Sequence, residues 1–201
     1  MKEKQMKAKE HYDLLIDENN DPFWDPPQLK EYMEKWDGEP FLQCLLLSKE
    51  KSVLEIGVGT GRIAEKTAPK CKSFCGIDLS KKTIERAKEN LSKIPNVNLI
   101  CADFLKHPFK ESFDIIYSSL TFMHIKNKKK CIKKISRLLN EKGIFVLSVD
   151  KSKNKHLDYG NRKIKLYPDD PEKIRKYIKS AGLSLIKEQE TEFASIFVCE
   201  K

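Results

Sequence analysis

Val53-Leu54-Glu55-Ile56 runs directly into Gly57-Val58-Gly59-Thr60-Gly61, with glycine at every second position. A short, mostly apolar run bounded by glycines reads as a buried strand, and residues 61–69 beyond it read as a helix. Glycine reaches positive φ without strain and carries no Cβ, so a ligand can lie against the backbone of such a turn. The helix N-terminus that follows offers free N–H groups and the positive end of its dipole to an anion such as a carboxylate. Strand, bare turn and helix in this order form the opening unit of an α/β domain.

The same rhythm continues downstream. Residues 73–77, 97–101, 113–117 and 143–147 read as further buried strands. Ser80 is placed to cap a helix whose Ile84, Ala87 and Leu91 share one face. A helix over residues 127–140 buries Ile132, Ile135, Leu138 and Leu139, which turns Lys128, Lys129, Lys130, Lys133 and Lys134 mainly to water. Strands alternating with helices at this spacing imply a parallel sheet covered on both faces. The end departs from the pattern. Asp169 or Asp170 with Pro171 caps a helix to about residue 180, closed by Gly182, and residues 183–191 and 193–199 are strands joined too tightly for a crossover helix. Such strands pair antiparallel. Residues 151–167 form a long basic loop with a hairpin turning at Tyr159-Gly160-Asn161.

Ahead of the glycine turn, residues 1–20 read as a charged, mobile arm with Tyr12 and Leu14-Leu15-Ile16 available for docking. Asp25 and Pro26 read as the N-cap and first residue of a helix that aligns Leu29, Tyr32, Met33 and Trp36 and stops at Asp37-Gly38; Pro40 starts another through Leu47. The expectation is a Rossmann-like, doubly wound α/β fold: seven strands, mostly parallel, the last antiparallel, with an N-terminal helical cap. Residues 1–39 would form the acidic, aromatic arm and cap, and residues 40–201 the ligand-binding domain. The length of 201 residues suits a single domain with a real core.

Two carboxylates follow strand ends. Asp78, in Gly76-Ile77-Asp78, comes 21 residues after Gly57 and can accept both hydroxyls of a ribose bound over the glycine turn. Asp103, with Phe104 beside it, suits an adenine, the carboxylate taking the amino group and the ring packing nearby. The dinucleotide fingerprint G-x-G-x-x-G fails, because Arg62 stands where its third glycine belongs. No Gly-Lys-Ser/Thr completes a phosphate-binding loop.

The ordered set Leu54–Gly61, Gly76-Ile77-Asp78, Ala102-Asp103-Phe104, Phe113–Ile116 and Leu139–Val146 resembles the class I S-adenosylmethionine-dependent methyltransferases, in particular the small single-domain group acting on small molecules. The resemblance covers about residues 40–200. It implies that Gly57, Val58, Gly59 and Gly61 pass under the methionine part of S-adenosylmethionine with Glu55 nearby. Asp78 would hold the ribose with Leu79 against the adenine, Asp103 and Phe104 would recognise the adenine, and Ser118 would present its carbonyl to the methionine amino group. The product would be S-adenosylhomocysteine.

On the acceptor side, Ser118-Ser119-Leu120-Thr121 stands where enzymes of adenine or glutamine nitrogens carry Asn/Asp-Pro-Pro-Tyr/Phe, and no Pro-Cys dipeptide supports a covalent cysteine route. His124, just beyond, could orient an acceptor or take its proton, with Phe122 alongside. Methyl transfer from a sulfonium needs mainly alignment, so a base is optional. Residues 11–40 hold nine acidic groups against two lysines, interleaved with Tyr12, Phe23, Trp24, Tyr32 and Trp36. An acidic, aromatic lid using Tyr12, Trp24 and Trp36 would suit an uncharged or cationic small acceptor.

The net charge of +9 arises wholly beyond residue 100 and is carried mostly by lysine, with five arginines in the chain. Specific base readout leans on arginine forks, so RNA as the methyl acceptor is the weaker alternative. A non-catalytic cofactor-binding module is another, and a nicotinamide oxidoreductase the weakest. The six cysteines show no metal-ligand spacing and read as reduced thiols. No apolar run is long enough to span a bilayer, and the amino end lacks a signal-peptide pattern, so a cytoplasmic location is expected.

Overall fold

The computed structural model describes residues 4–201; residues 1–3, where the arm begins, lie outside them. The chain opens with β1 (Lys4–Met6), α1 (Ala8–Asp17), α2 (Pro27–Asp37) and α3 (Glu39–Gln43). Then come β2 (Ser52–Ile56), α4 (Ala64–Thr67), β3 (Ser73–Asp78), α5 (Lys81–Asn90), β4 (Val97–Cys101) and β5 (Phe113–Ser118). After α6 (Lys128–Leu138) and β6 (Leu139–Asp150), a hairpin of β7 (His156–Asp158) and β8 (Arg162–Lys165) precedes α7 (Pro171–Ser180), β9 (Ser184–Glu190) and β10 (Ala194–Glu200).

The main sheet has seven strands in the order β4-β3-β2-β5-β6-β10-β9. β10 runs antiparallel to both neighbours, pairing Phe197 with Leu147 on β6 and with Glu188 on β9. This is the doubly wound, mostly parallel sheet that the sequence implies. Two apolar layers cover it. Leu54, Ile56 and Ile116 pack against Ile132 and Ile135 of α6 and Ile174 and Ile178 of α7. Val53, Ile115 and Tyr117, the alternate residues of the same strands, pack with Phe41 of α3, Ala64 of α4, and Ile84 and Leu91 at α5. Strands buried on both faces explain why their sequences read as apolar runs. The order of the strands reverses between β2 and β5, and a crevice opens beyond their carboxyl ends, where ligands bind in such sheets.

Several local expectations need correction. Residues 8–17 are a helix docked on the body instead of a mobile arm. α2 begins at Pro27 with Pro26 as its N-cap and no side-chain cap, because Asp25 lies one residue too early. α3 ends at Gln43, well short of Leu47. Asn127 caps α6, Asp170 caps α7 and Ser80 caps α5, each side chain accepting a backbone N–H. Lys128 does not face water: it is buried, and its ammonium donates to the carbonyls of Phe122 (2.7 Å), Ile125 (3.0 Å) and Tyr167 (2.7 Å) beside Asp169 at 3.2 Å. Helical periodicity marks which face of a helix is apolar, but not that a cation at its first turn meets carbonyls of the preceding loop and of Tyr167.

The hairpin around Gly160 forms as expected, and β1 adds to it in parallel, giving a small sheet of order β1-β8-β7. Arg162 on β8 fastens α1 to it: the guanidinium forks onto Glu18 (2.7 Å to each oxygen) and donates to His11 Nδ1 at 3.2 Å. α1, the segment to α2 and Met33 of α2 roof the crevice, and the small sheet backs α1 through Arg162.

Candidate active site

A cavity of about 480 Å³ fills the crevice, within the range of small-molecule sites. Gly57, Val58 and Gly59 line its floor after β2, and Asp78 and Leu79 its wall after β3. Asp103 and Phe104 follow β4, and Ser119 to Thr121 and His124 follow β5. Gly57 has φ +80° and lies so close under Thr121 that a Cβ would meet Thr121 Oγ1 at 1.9 Å. Gly59, at φ +56°, has nothing within 4 Å of the place a Cβ would take, which leaves its backbone open to the cavity. Thr60 also lines the cavity, with its buried Oγ1 lacking a partner.

Asp78 accepts Gly59 N–H at 3.1 Å on one oxygen and Ser80 N–H at 2.9 Å on the other. Each oxygen keeps a lone pair for a vicinal diol. Burial raises its pKa, against those backbone donors. Glu55 is buried beneath the turn and accepts from Tyr117 Oη at 2.9 Å, and burial pushes its carboxyl well above the usual range. Asp103 folds back onto Leu105 N–H at 2.9 Å, and the cavity half-exposes Leu79. The bare turn, the orphaned Thr60 hydroxyl and the Asp78 carboxylate with its remaining lone pairs fit S-adenosylmethionine.

Sequence reading missed an ionic cluster beside the glycine turn. Arg62 lines the cavity and forks onto Asp37 at the end of α2 (2.9 and 2.6 Å), and Ser119 Oγ donates to the same carboxylate at 2.7 Å. Asn90 ties the Thr60 carbonyl (3.0 Å) to Asp21 (3.2 Å). Asp37 and Arg62 are 25 positions apart on unrelated elements, so no spacing rule joins them; the only signal was an arginine in place of the fingerprint's third glycine.

The acceptor side keeps part of the expected set. Tyr12 Oη lies 2.9 Å from His124 Nε2, and both line the cavity. Burial, then the charges around His11 and Lys128, lower the His124 pKa to about 4, so the imidazole is neutral at pH 7. Trp24, Trp36 and Phe122 lie elsewhere. Trp24 is exposed and donates to Asn90, Trp36 stacks on Phe193 at 4.6 Å, and Phe122 is buried in the core. Ser118 is buried one residue below the cavity wall, its Oγ donating to Ile56 O at 2.8 Å. The arm's carboxylates face the body instead of the cavity: Asp13 takes Ser80 Oγ and Lys82 N, Asp17 pairs with Lys82, Asp21 with Arg86, and Glu34 with Lys66. The acidic arm is a docking strip, which removes the physical basis for expecting a cationic acceptor.

Comparison with known proteins agrees with this geometry. Residues 54–147 match the family model described as a methyltransferase domain. An uncharacterized methyltransferase of Anoxybacillus flavithermus (strain DSM 21510 / WK1) is 35% identical over 123 residues, 59% of this chain and 57% of that protein. The malonyl-[acyl-carrier protein] O-methyltransferase of the same strain is 32% identical over 101 residues, 49% of this chain and 38% of that one. The chain thus matches less than two thirds of the length of either relative. Among solved structures, the N-methyltransferase NodS from Bradyrhizobium japonicum WM9 in complex with S-adenosyl-L-homocysteine is similar, with a TM-score of 0.66 at 18% identity over 91% of this chain and 89% of that one. That likeness speaks for the fold.

Proposed function

We propose that the chain acts as a class I S-adenosylmethionine-dependent methyltransferase and moves a methyl group from that cofactor to a small-molecule acceptor held beneath the N-terminal roof, by in-line displacement. The observation that carries this reading is one continuous cavity whose floor is the glycine turn and whose far wall carries Tyr12 and His124. When bound, the cofactor supplies an electrophilic methyl group on sulfur. Gly57, Val58 and Gly59 leave room for its methionine part beside Glu55 and above Ser118, whereas Gly61, expected to join them, does not line the cavity and instead makes room for Leu91. Asp78 takes the ribose hydroxyls, and Leu79, Asp103 and Phe104 flank the adenine. Tyr12 and His124 face the acceptor, and the roof excludes water, which strengthens every polar contact within. A covered cavity favours a small acceptor over a polynucleotide. Relatives that include an O-methyltransferase support transfer to oxygen.

We treat residues 1–39 as the cap and 40–201 as the methyltransferase domain, and the six free cysteines support a cytoplasmic setting. Among the described residues no helix is long and apolar enough to cross a membrane.

Calorimetry tests the cofactor assignment. S-adenosylhomocysteine is expected to bind, and Asp78→Ala to weaken it by about 1–3 kcal/mol, the range for charge-assisted hydrogen bonds. Turnover is tested by supplying methyl-labelled cofactor to a cell extract; binding without label transfer to any product would leave the non-catalytic module standing instead.

A further inference from the structure

Five residues of the roof line the cavity. Ala8, Pro22 and Met33 are apolar, Lys9 is paired with Asp13 at 2.6 Å, and Tyr12 is the fifth. Tyr12 Oη has one side-chain contact among the described residues, His124 Nε2 at 2.9 Å. The other imidazole nitrogen, Nδ1, is buried with no partner. A buried N–H without an acceptor loses a full hydrogen bond, whereas a bare ring nitrogen loses less. The neutral ring therefore carries its proton on Nε2 and donates it to Tyr12 Oη. Tyr12's own O–H is then left to donate into the cavity. The acceptor end thus offers a hydrogen-bond donor, set in direction by His124; the carboxylates that line the cavity, Glu55, Asp78 and Asp103, are those assigned to the cofactor, and Asp78 is near enough for its charge to bear on Tyr12. Lys126, two residues further along the same turn, is exposed at the mouth and has no ion-pair partner among the described residues. No carboxylate of the arm lines this end.

We propose that the acceptor is a carboxylate and the product its methyl ester, with the Tyr12 hydroxyl holding one carboxylate oxygen while the other attacks. This rests on the methyl-transfer reading above. An oxygen lone pair forms the new C–O bond, the C–S bond breaks with its electrons left on sulfur, and no proton changes hands. A carboxylate needs no base, which matches a site whose only imidazole is already committed to Tyr12. His124 is a positioning residue: it acts by aiming the Tyr12 hydroxyl.

Alkali separates this proposal from its alternatives. Cofactor labelled in the methyl group is incubated with enzyme and whole cell extract, the products are split by ultrafiltration, and each fraction is treated with base. Methyl esters release the label as volatile methanol; methyl ethers and methylamines keep it. Base-volatile label is the expected result. Base-stable label in the small-molecule fraction overturns the carboxylate while leaving methyl transfer intact, and label in neither fraction overturns both. A binding readout is independent of turnover. With S-adenosylhomocysteine present, a panel of simple aliphatic and aromatic carboxylic acids is expected to raise the melting temperature where the primary amides of the same acids do not. Equal shifts from acids and amides would overturn the proposal. Tyr12→Phe should abolish that shift and lower kcat/KM by about 10- to 100-fold. His124→Ala should lose comparable activity, and His124→Gln should restore most of it, since the amide nitrogen of glutamine takes the place of Nε2. Failure of His124→Gln to restore activity in a folded protein would assign His124 a role other than aiming Tyr12.

Discussion

Gly57 shows how one missing carbon holds the site together. Its φ of +80° and the 1.9 Å approach to Thr121 Oγ1 mean that any side chain there displaces the loop after β5. Gly57→Ala is therefore expected to destabilise the fold by about 1–3 kcal/mol, the usual range for overpacking, and to abolish cofactor binding, read by urea denaturation and calorimetry. The alternating glycines were legible in the sequence because their conformation is local; Thr121 as the reason was not, because it comes from another strand. The two buried imidazoles give a second test. Burial lowers His11 and His124 to about 4 each, so between there and the unfolded value near 6.5 the unfolded chain binds the extra protons. Their contribution to stability is complete above about pH 6.5 and is lost as pH falls toward 4. Asp169, raised by burial to about 6, and Glu55, raised well above its usual range, have the opposite sign and offset them. The test is therefore a difference: His124→Gln should remove about one proton's worth of the rise of stability with pH, relative to the parent protein, in urea midpoints measured across that window.

At the scale of elements, α2 matters for what its last residue holds. Asp37 is buried and receives both Arg62 and Ser119, so the helix clamps the glycine turn to the loop after β5. Asp37→Ala leaves a largely buried guanidinium uncompensated, which costs about 3–5 kcal/mol, and should weaken S-adenosylhomocysteine as well. Thermal unfolding and calorimetry on the same variant read the two effects. In the sequence, Asp37-Gly38 read correctly as a helix stop, and the boundaries of β2 through β5 lie within a residue or two of expectation. These features are carried by neighbours in sequence. The reading failed where partners are distant: the arm's carboxylates read as a substrate-facing surface because their partners, the Ser80 hydroxyl and the cations Lys82, Arg86 and Lys66, belong to other elements. Lys128 read as solvated for the same reason.

At the scale of the whole molecule, elements far apart in sequence, β1 and β8, are joined beside one crevice. The antiparallel pairing of β9 with β10 was implied by their tight connection, since adjacent strands with no crossover must run opposite ways. The pairing of β1 with β8 had no such signal, being three residues long and far apart in sequence. Arg162 is the bolt between roof and hairpin. Arg162→Met should speed hydrogen exchange throughout α1 and hasten S-adenosylhomocysteine release, while exchange in β2 and β5 stays slow, because the core packs without it.

Lys201 closes the chain against Gly143 and Leu139, at the foot of β6 and on the side of the sheet away from the crevice. The amino-terminal strand, by contrast, pairs with the hairpin that holds α1 over the crevice. Attaching the protein to a surface through Lys201 leaves the mouth facing outward and the bolt undisturbed, whereas a fusion ahead of β1 loads the strand that pairs with β8 beside Arg162.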